Sequence, residues 1–281
     1  MFKLYPPNLM RYFLFAALAI YASLSHADTS ATYTFSIVPQ FKPAQLQQEW
    51  APLIERISRE TGVKLKLVIA PSIPKFEAEL FKAMPDFAFM NPYQAAIAMK
   101  SSGYLPMLRD KKPLNGILVV RKDSTYKKLK DLDGKIIGFP APNAFAASLY
   151  MRAKLSEEHS LQYTAKYLNN HNLVFKHILL GHVAAGGTVN SALNDEPQDV
   201  RDQLTILYQT PDAASHPIAA HSRVPEAVRK AVINSLLGMQ QDVEGRALLK
   251  EIRLPNLVDA NYASDYQPIE KLNIQKYLVA E

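Results

Sequence analysis

Lys130-Asp131-Leu132-Asp133-Gly134-Lys135-Ile136-Ile137-Gly138-Phe139-Pro140-Ala141-Pro142-Asn143-Ala144-Phe145-Ala146-Ala147-Ser148 is the stretch whose reading decides the fold. Asp133-Gly134 marks a tight turn, and Lys135 to Phe139 then reads as a short buried strand. A proline-bounded loop follows, and a helix begins near Asn143, whose side-chain oxygen can cap it. A helix that starts just beyond the carboxyl end of a strand presents free N–H groups and the positive end of its dipole. Small anions and ligand head groups bind at such places. An ordinary strand-to-helix connection is the plain alternative and the commoner case.

Working towards the amino terminus, Tyr33 to Val38 alternates as a first strand, and Pro39-Gln40-Phe41-Lys42-Pro43 is a loop leaving its carboxyl end. Leu46, Trp50, Leu53, Ile54 and Ile57 recur at helical spacing, and that helix stops at Thr61-Gly62. Val63 to Ile69 is a second strand, Phe76 to Met84 a helix, and Asp86 to Met90 a short buried strand. That strand ends at Asn91-Pro92-Tyr93, where another helix begins. Tyr104 to Leu108 and Asn115 to Arg121 are further strands. The alternation of strand and helix predicts mainly parallel sheets with helices on both faces. Polar Lys122 to Asp131 reads as a crossing between lobes.

Towards the carboxyl terminus, Tyr163 to Asn170 reads as a strand and His171 to Leu180 as a helix. Val183 to Val189 is a small-residue strand, and Leu204 to Tyr208 another. Pro211 to Ala220 returns towards the first lobe. Pro225 to Met239 and Val243 to Ile252 are helices, and the tail from Pro255 reads as loop-rich. The expected organisation is a leader over 1–27, a first lobe over 28–119, a second lobe over 120–215, and a return to the first lobe over 216–281. Two lobes predict a ligand cleft between them, beyond the carboxyl ends of strands.

The 281 residues contain no cysteine, which excludes disulfides, thiolate catalysis, iron–sulfur clusters and thiolate zinc sites. The formal charge is +6; Lys3 and Arg11 lie in the leader, so 6 − 2 leaves +4 on the mature chain. That mild, dispersed charge gives no nucleic-acid signature. Met1 to Arg11 is basic, Tyr12 to Leu24 is an apolar core short for a membrane span, and Ser25-His26-Ala27 fits signal cleavage before Asp28. Export to a Gram-negative periplasm is expected. No histidine pair has metal spacing, Ser148 lacks a Gly-x-Ser-x-Gly setting, and no cofactor, metal or catalytic group is expected.

The run of Val38-Pro39-Gln40, Trp50-Ala51-Pro52-Leu53, Thr61-Gly62, Phe76-Glu77-Ala78, Asp86-Phe87-Ala88 with Asn91-Pro92-Tyr93, Gly116 to Arg121, and Leu129 to Lys135 resembles the periplasmic solute-binding proteins of phosphate, phosphite and phosphonate transporters. The resemblance spans nearly the whole mature chain. It implies a type II periplasmic binding fold in the α/β class: two lobes that close on a solute, joined by two hinge crossings near Val120 and His216. It implies no catalysis. In that family a Ser-Thr-Ser run at the start of the central helix holds the phosphonate oxygens; here it falls on Ala144-Phe145-Ala146, and all three hydroxyls are missing. The family's later His falls on His171 and is kept, while its amine-pairing Asp falls on Ala184 and is lost. Hydrogen bonds to a charged group contribute roughly 1.5–3 kcal/mol each, so this branch should bind phosphate or methylphosphonate weakly unless other groups substitute.

The candidate ligand residues are therefore Gln40, Phe41, Asn91, Tyr93, Asn143, Ala144, Phe145, Ala146 and His171. Asn91 and Asn143 read first as helix caps, and Phe145 equally as cleft wall or core. Tyr93 and His171 lean towards ligand on the resemblance. Gly186-Gly187 reads as a close backbone approach or a plain turn. The expected function is capture of a small molecule, an oxyanion or phosphonate-like compound among the candidates, by a monomer that hands it to an ABC-transporter permease. Presentation of the closed form to a membrane sensor kinase, cyclase or chemoreceptor is the alternative.

Overall fold

The computed structural model describes residues 31–272 and 274–279; the expected leader lies outside them. Strand β1 (Thr32–Ile37) buries Phe35 and Ile37 completely. Helix α1 (Pro43–Thr61) starts on a proline, whose missing N–H is no loss at that position. It ends at Gly62, where a φ of 70° lets the Gly62 N–H close on the Ser58 carbonyl. Its face of Leu46, Trp50, Leu53, Ile54 and Ile57 is buried, as the spacing predicts. Strand β2 (Lys64–Ile69), α2 (Ile73–Phe81), β3 (Phe87–Phe89), α3 (Pro92–Ser101) and β4 (Tyr104–Asp110) follow.

With β10 (Pro217–His221) and β11 (Leu257–Asp259), these strands form a six-stranded sheet in the order β11-β4-β10-β3-β1-β2. The second sheet holds β5 (Gly116–Arg121), β6 (Lys135–Phe139), β7 (Tyr163–Tyr167), β8 (Ala185–Val189) and β9 (Leu204–Gln209) in the order β7-β6-β8-β5-β9. Parallel pairing is confined to β2-β1-β3 and β7-β6-β8. The strands next to the crossings pair antiparallel: β10 with β3 and β4, and β5 with β8 and β9. Each sheet is therefore mixed.

The chain enters the second sheet at Gly116, so the first crossing is 111–115, earlier than the position near Val120 that the resemblance implies. Lys122 to Asp131 is not a crossing; it stays with the second sheet, where the Lys122 N–H donates to the Gln203 carbonyl. The apolar run of β5 continues out of the crossing with no shift in composition, and a polar surface excursion imitates the shift instead. The return segment pairs with the outgoing one. Leu114 and Ala213 exchange N–H···O bonds of 2.8 and 2.9 Å, and the Thr210 hydroxyl accepts from the Gly116 N–H at 2.8 Å.

The central helix, α4, runs over 145–158 with wide turns at Phe145–Tyr150 and Lys154–Glu158. It lies very close to the second sheet. A Cβ on Gly116 would stand 2.1 Å from the Ala146 carbonyl oxygen, and one on Gly187 2.2 Å from that of Ala147. Helix α5 (His171–Leu179) approaches β8 through Gly186 in the same way. Gly186 and Gly187 thus serve helix-on-sheet packing within the strand, neither a turn nor a ligand approach. After α6 (Asn190–Asn194), α7 (Gln198–Arg201), α8 (Glu226–Gly238) and α9 (Val243–Glu251), the tail is more structured than its sequence suggests. It contributes β11, a wide turn at Tyr262–Tyr266, and short 3-10 turns at Gln267–Leu272 and Ile274–Tyr277, each too brief to show a period.

Candidate ligand-binding cleft

A cavity of about 420 Å³ opens between the lobes. The first lobe supplies Val38, Gln40 and Phe41 beyond the end of β1, Trp50 from α1 and Phe89 from the end of β3. The second supplies His171 from the first turn of α5, and Val189 to Ser191 at the end of β8. The carboxyl ends of strands from both sheets thus meet here, where α/β folds place ligands.

Two histidines line this space. His171 is 3% exposed, and its Nδ1 lies 2.8 Å from the Thr188 hydroxyl. His216 is 8% exposed; its Nε2 accepts from the Gln40 amide at 2.9 Å, and its ring stacks on Phe89 with centroids 5.3 Å apart. Burial pushes the His171 pKa down to about 4, helped by the Arg253 charge. Burial likewise pushes His216 down to about 3, with His171 adding to it. Both rings are neutral at pH 7.

Arg253 bridges the two lobes beside the cavity. Its guanidinium lies 4.2 Å from the Phe41 ring centroid, donates to Glu49 at 2.9 Å within its own lobe, and reaches Asp195 of the second lobe at 2.8 Å. Asp110, buried on the rim, accepts from the Lys112 and Asn256 N–H groups at 2.7 and 2.9 Å.

The stretch around residue 143 is a different environment. Ala144, Phe145 and Ala146 are 9%, 2% and 3% exposed and do not line the cavity. Phe145 stacks on Tyr150 with centroids 5.6 Å apart, a core contact. Asn143 does not cap the helix, contrary to the sequence reading. Its amide donates to Glu77 at 2.9 Å and to the Val279 carbonyl at 3.1 Å, and its oxygen accepts from the Val279 N–H at 3.1 Å. Three hydrogen bonds to Glu77 and Val279 occupy it instead of the helix. Asn91 does cap α3, in a capping box with Gln94, and also donates to the Asn143 carbonyl at 3.3 Å. Tyr93 is buried beside Glu77, and burial raises its pKa. Burial also raises the Glu77 pKa, although the Gln94 and Asn143 amides hold its carboxylate.

Of the nine candidates, then, Gln40, Phe41 and His171 line the cavity. Asn91 and Asn143 join the two lobes in a buried contact, and Tyr93, Ala144, Phe145 and Ala146 are buried away from the cavity. Phe41 also borders a second hollow of about 420 Å³, walled by Pro71, Pro74, Pro140 and Pro142, on the side of that contact nearer the tail.

The sequence pattern of a family described as the periplasmic substrate-binding proteins of phosphonate ABC transporters matches residues 35–266. The chain belongs to this family. Its members are substrate-binding transport proteins of the periplasm, not enzymes. A curated relative, the phosphate-import protein PhnD of Mycolicibacterium smegmatis, is 25% identical over 135 residues. That match takes in 45% of this chain and 42% of the relative's length. Among solved structures, the chain is similar to PhnD1 of Prochlorococcus marinus in complex with methylphosphonate, with a TM-score of 0.79, 12% identity, and 88% and 99% of the two chains covered. It is also similar to a binding-protein component of an ABC phosphonate transporter from Pseudomonas aeruginosa, with a TM-score of 0.76, 14% identity, and 88% and 87% covered. These likenesses show the type II periplasmic binding fold.

Within this family fold, three residues of the cavity escape sequence reasoning. Trp50 shows only as one more apolar position on α1, because its helical spacing is the same whether it faces core or cleft. His216 follows a crossing whose exact path the composition hides. Arg253 sits just past α9 in a left-handed conformation, with a φ of 64°, in a segment without periodicity.

Proposed function

We propose that this protein captures a small solute between its two lobes in the periplasm and delivers it to the permease of an ABC transporter. The observation that carries the reading is the cavity itself: side chains from both lobes converge on it at strand carboxyl ends, behind the Arg253–Asp195 ion pair. A solute touching both lobes favours the closed arrangement over the open one, and the paired crossings at Leu114–Ala213 supply the hinge. Family membership supports the transporter partner, and the leader over 1–27, cleaved before Asp28, supports export. Gln40, Phe41 and His171 contact the solute. Asn91, Glu77 and Asn143 act as the seam along which the lobes meet. An oxyanion or phosphonate-like solute is the ligand that the relatives' names suggest.

Trp50 is the only tryptophan of the chain and lines the cavity, so its fluorescence reports occupancy. The test is a thermal-shift and Trp50-fluorescence screen of the mature chain across oxyanions, phosphonates, amino acids and small aromatics. A saturable, one-to-one response to at least one compound is expected. No response to any class would sink the reading.

A further inference from the structure

The chemistry of the cavity wall narrows the class of solute, given that the cleft captures one as proposed. The buried polar side chains of the wall are Asp110, Ser215, whose hydroxyl donates to the Asp110 carbonyl, and two neutral imidazoles. Each imidazole uses one nitrogen, His171 on Thr188 and His216 on Gln40. Among the described residues, His171 Nε2 and His216 Nδ1 have no hydrogen-bond partner. Neither nitrogen is among the buried unpartnered atoms, so each is open to a partner from the cavity side. The wall also carries an aromatic pair, Trp50 and Phe89, in contact at 4.8 Å between centroids.

The buried charges near the cavity are already committed. Arg253 spends both ends of its guanidinium on Glu49 and Asp195, and both oxygens of Asp110 are taken by backbone N–H groups. Lys112 and Lys250 stand exposed at the rim, where water screens them. A phosphonate inside would lose its water while the nearby cations are either already paired or screened at the rim, and a poorly compensated buried charge is strongly disfavoured. The main chain at Ala144 to Ala147 is packed away beneath the seam and offers no replacement.

We propose that the cavity takes an uncharged solute of one or two aromatic rings with a hydrogen-bonding edge. Its ring packs on the Trp50–Phe89 wall, and its edge meets the free nitrogens of His171 and His216. The volume suits a molecule of that size.

The experiment titrates the mature chain with nicotinamide and with adenine as uncharged ring probes, and with methylphosphonate and inorganic phosphate as anions, reading Trp50 fluorescence and calorimetric heat. At least one ring probe should saturate, and neither anion should. His171→Ala and His216→Ala should each weaken the ring probe by about tenfold, the loss of one hydrogen bond in a dry site. Should either variant fail to fold, as judged by circular dichroism, Gln40→Ala on its half-exposed loop should still weaken it several-fold. Saturation by an anion with no response to either ring probe overturns the proposal and leaves solute capture standing. Ring binding undiminished in every folded variant overturns it too. Silence from all four probes overturns it, and silence across the wider screen removes solute capture as well.

Discussion

The seam at Asn143 and the cavity at His171 and His216 both lie between the lobes, and both are built on buried polar side chains. They differ in what completes those side chains. At the seam the protein satisfies itself: Glu77 and Val279 engage both ends of the Asn143 side-chain amide, Gln94 shares the Glu77 carboxylate, and Asn91 donates to the Asn143 carbonyl. At the cavity the two imidazoles are each half-satisfied and look onto open space. A closed hydrogen-bond network fixes how two halves meet, whereas an incomplete one invites a guest.

The comparison breaks most visibly at Glu77. Glu77→Ala removes the acceptor shared by Gln94 and Asn143, and should cost roughly 2–4 kcal/mol in urea unfolding while leaving the cavity groups untouched. The cavity should show itself in the pH dependence. His171 and His216 have folded pKa values below the ordinary 6.5, so the unfolded chain takes up protons first as the pH falls. Stability is full above pH 6.5 and should fall between about 6.5 and 4, by roughly 1.4 kcal/mol per pH unit for each histidine. Glu77 works with the opposite sign, because its raised pKa makes ionisation above 4.5 a cost to the folded state. Urea titrations at pH 7 and 4.5 of the parent and the His171→Asn/His216→Asn double variant separate the two slopes.

Arg253→Met should cost about 1–2 kcal/mol, since it strands the Glu49 carboxylate and removes the link to Asp195. X-ray scattering should then show a larger mean separation of the lobes without ligand. The smallest effect is expected from Tyr93→Phe, which deletes a hydroxyl on the seam side. Ligand affinity should stay within about twofold by calorimetry. A tenfold loss there would erase the distinction between the two regions.

Much of the framework was legible in the sequence because it rests on periodicity. The buried face of α1 follows from the spacing of Leu46 to Ile57, and the Asn91 cap from an asparagine three residues before a glutamine. Gln40, Phe41 and His171 were legible because ligands gather past strand ends. The rest depends on how closely elements approach, which local spacing does not encode. Gly116 and Gly187 let α4 settle onto the second sheet, and that descent carries Ala144 to Ala146 out of reach of solvent. Asn143 then lands within reach of Glu77, 66 positions earlier, and of Val279, 136 positions later. A capping signal read from neighbours alone cannot register such distant competitors. The crossing at 111–115 was hidden for a related reason, since a strand that begins in a hinge looks the same as one that begins in a turn.

The final turns of the chain leave the first lobe and fasten to the second. Arg152 donates to the Tyr277 carbonyl at 2.6 Å, the Tyr277 hydroxyl meets Glu157, and Val279 clasps Asn143. The molecule is therefore laced at three places rather than two, and the third lace can come undone without breaking the polypeptide. Swinging apart requires the tail to peel off, so anything that pulls on the carboxyl end, an appended tag included, becomes a handle on the gap between the halves.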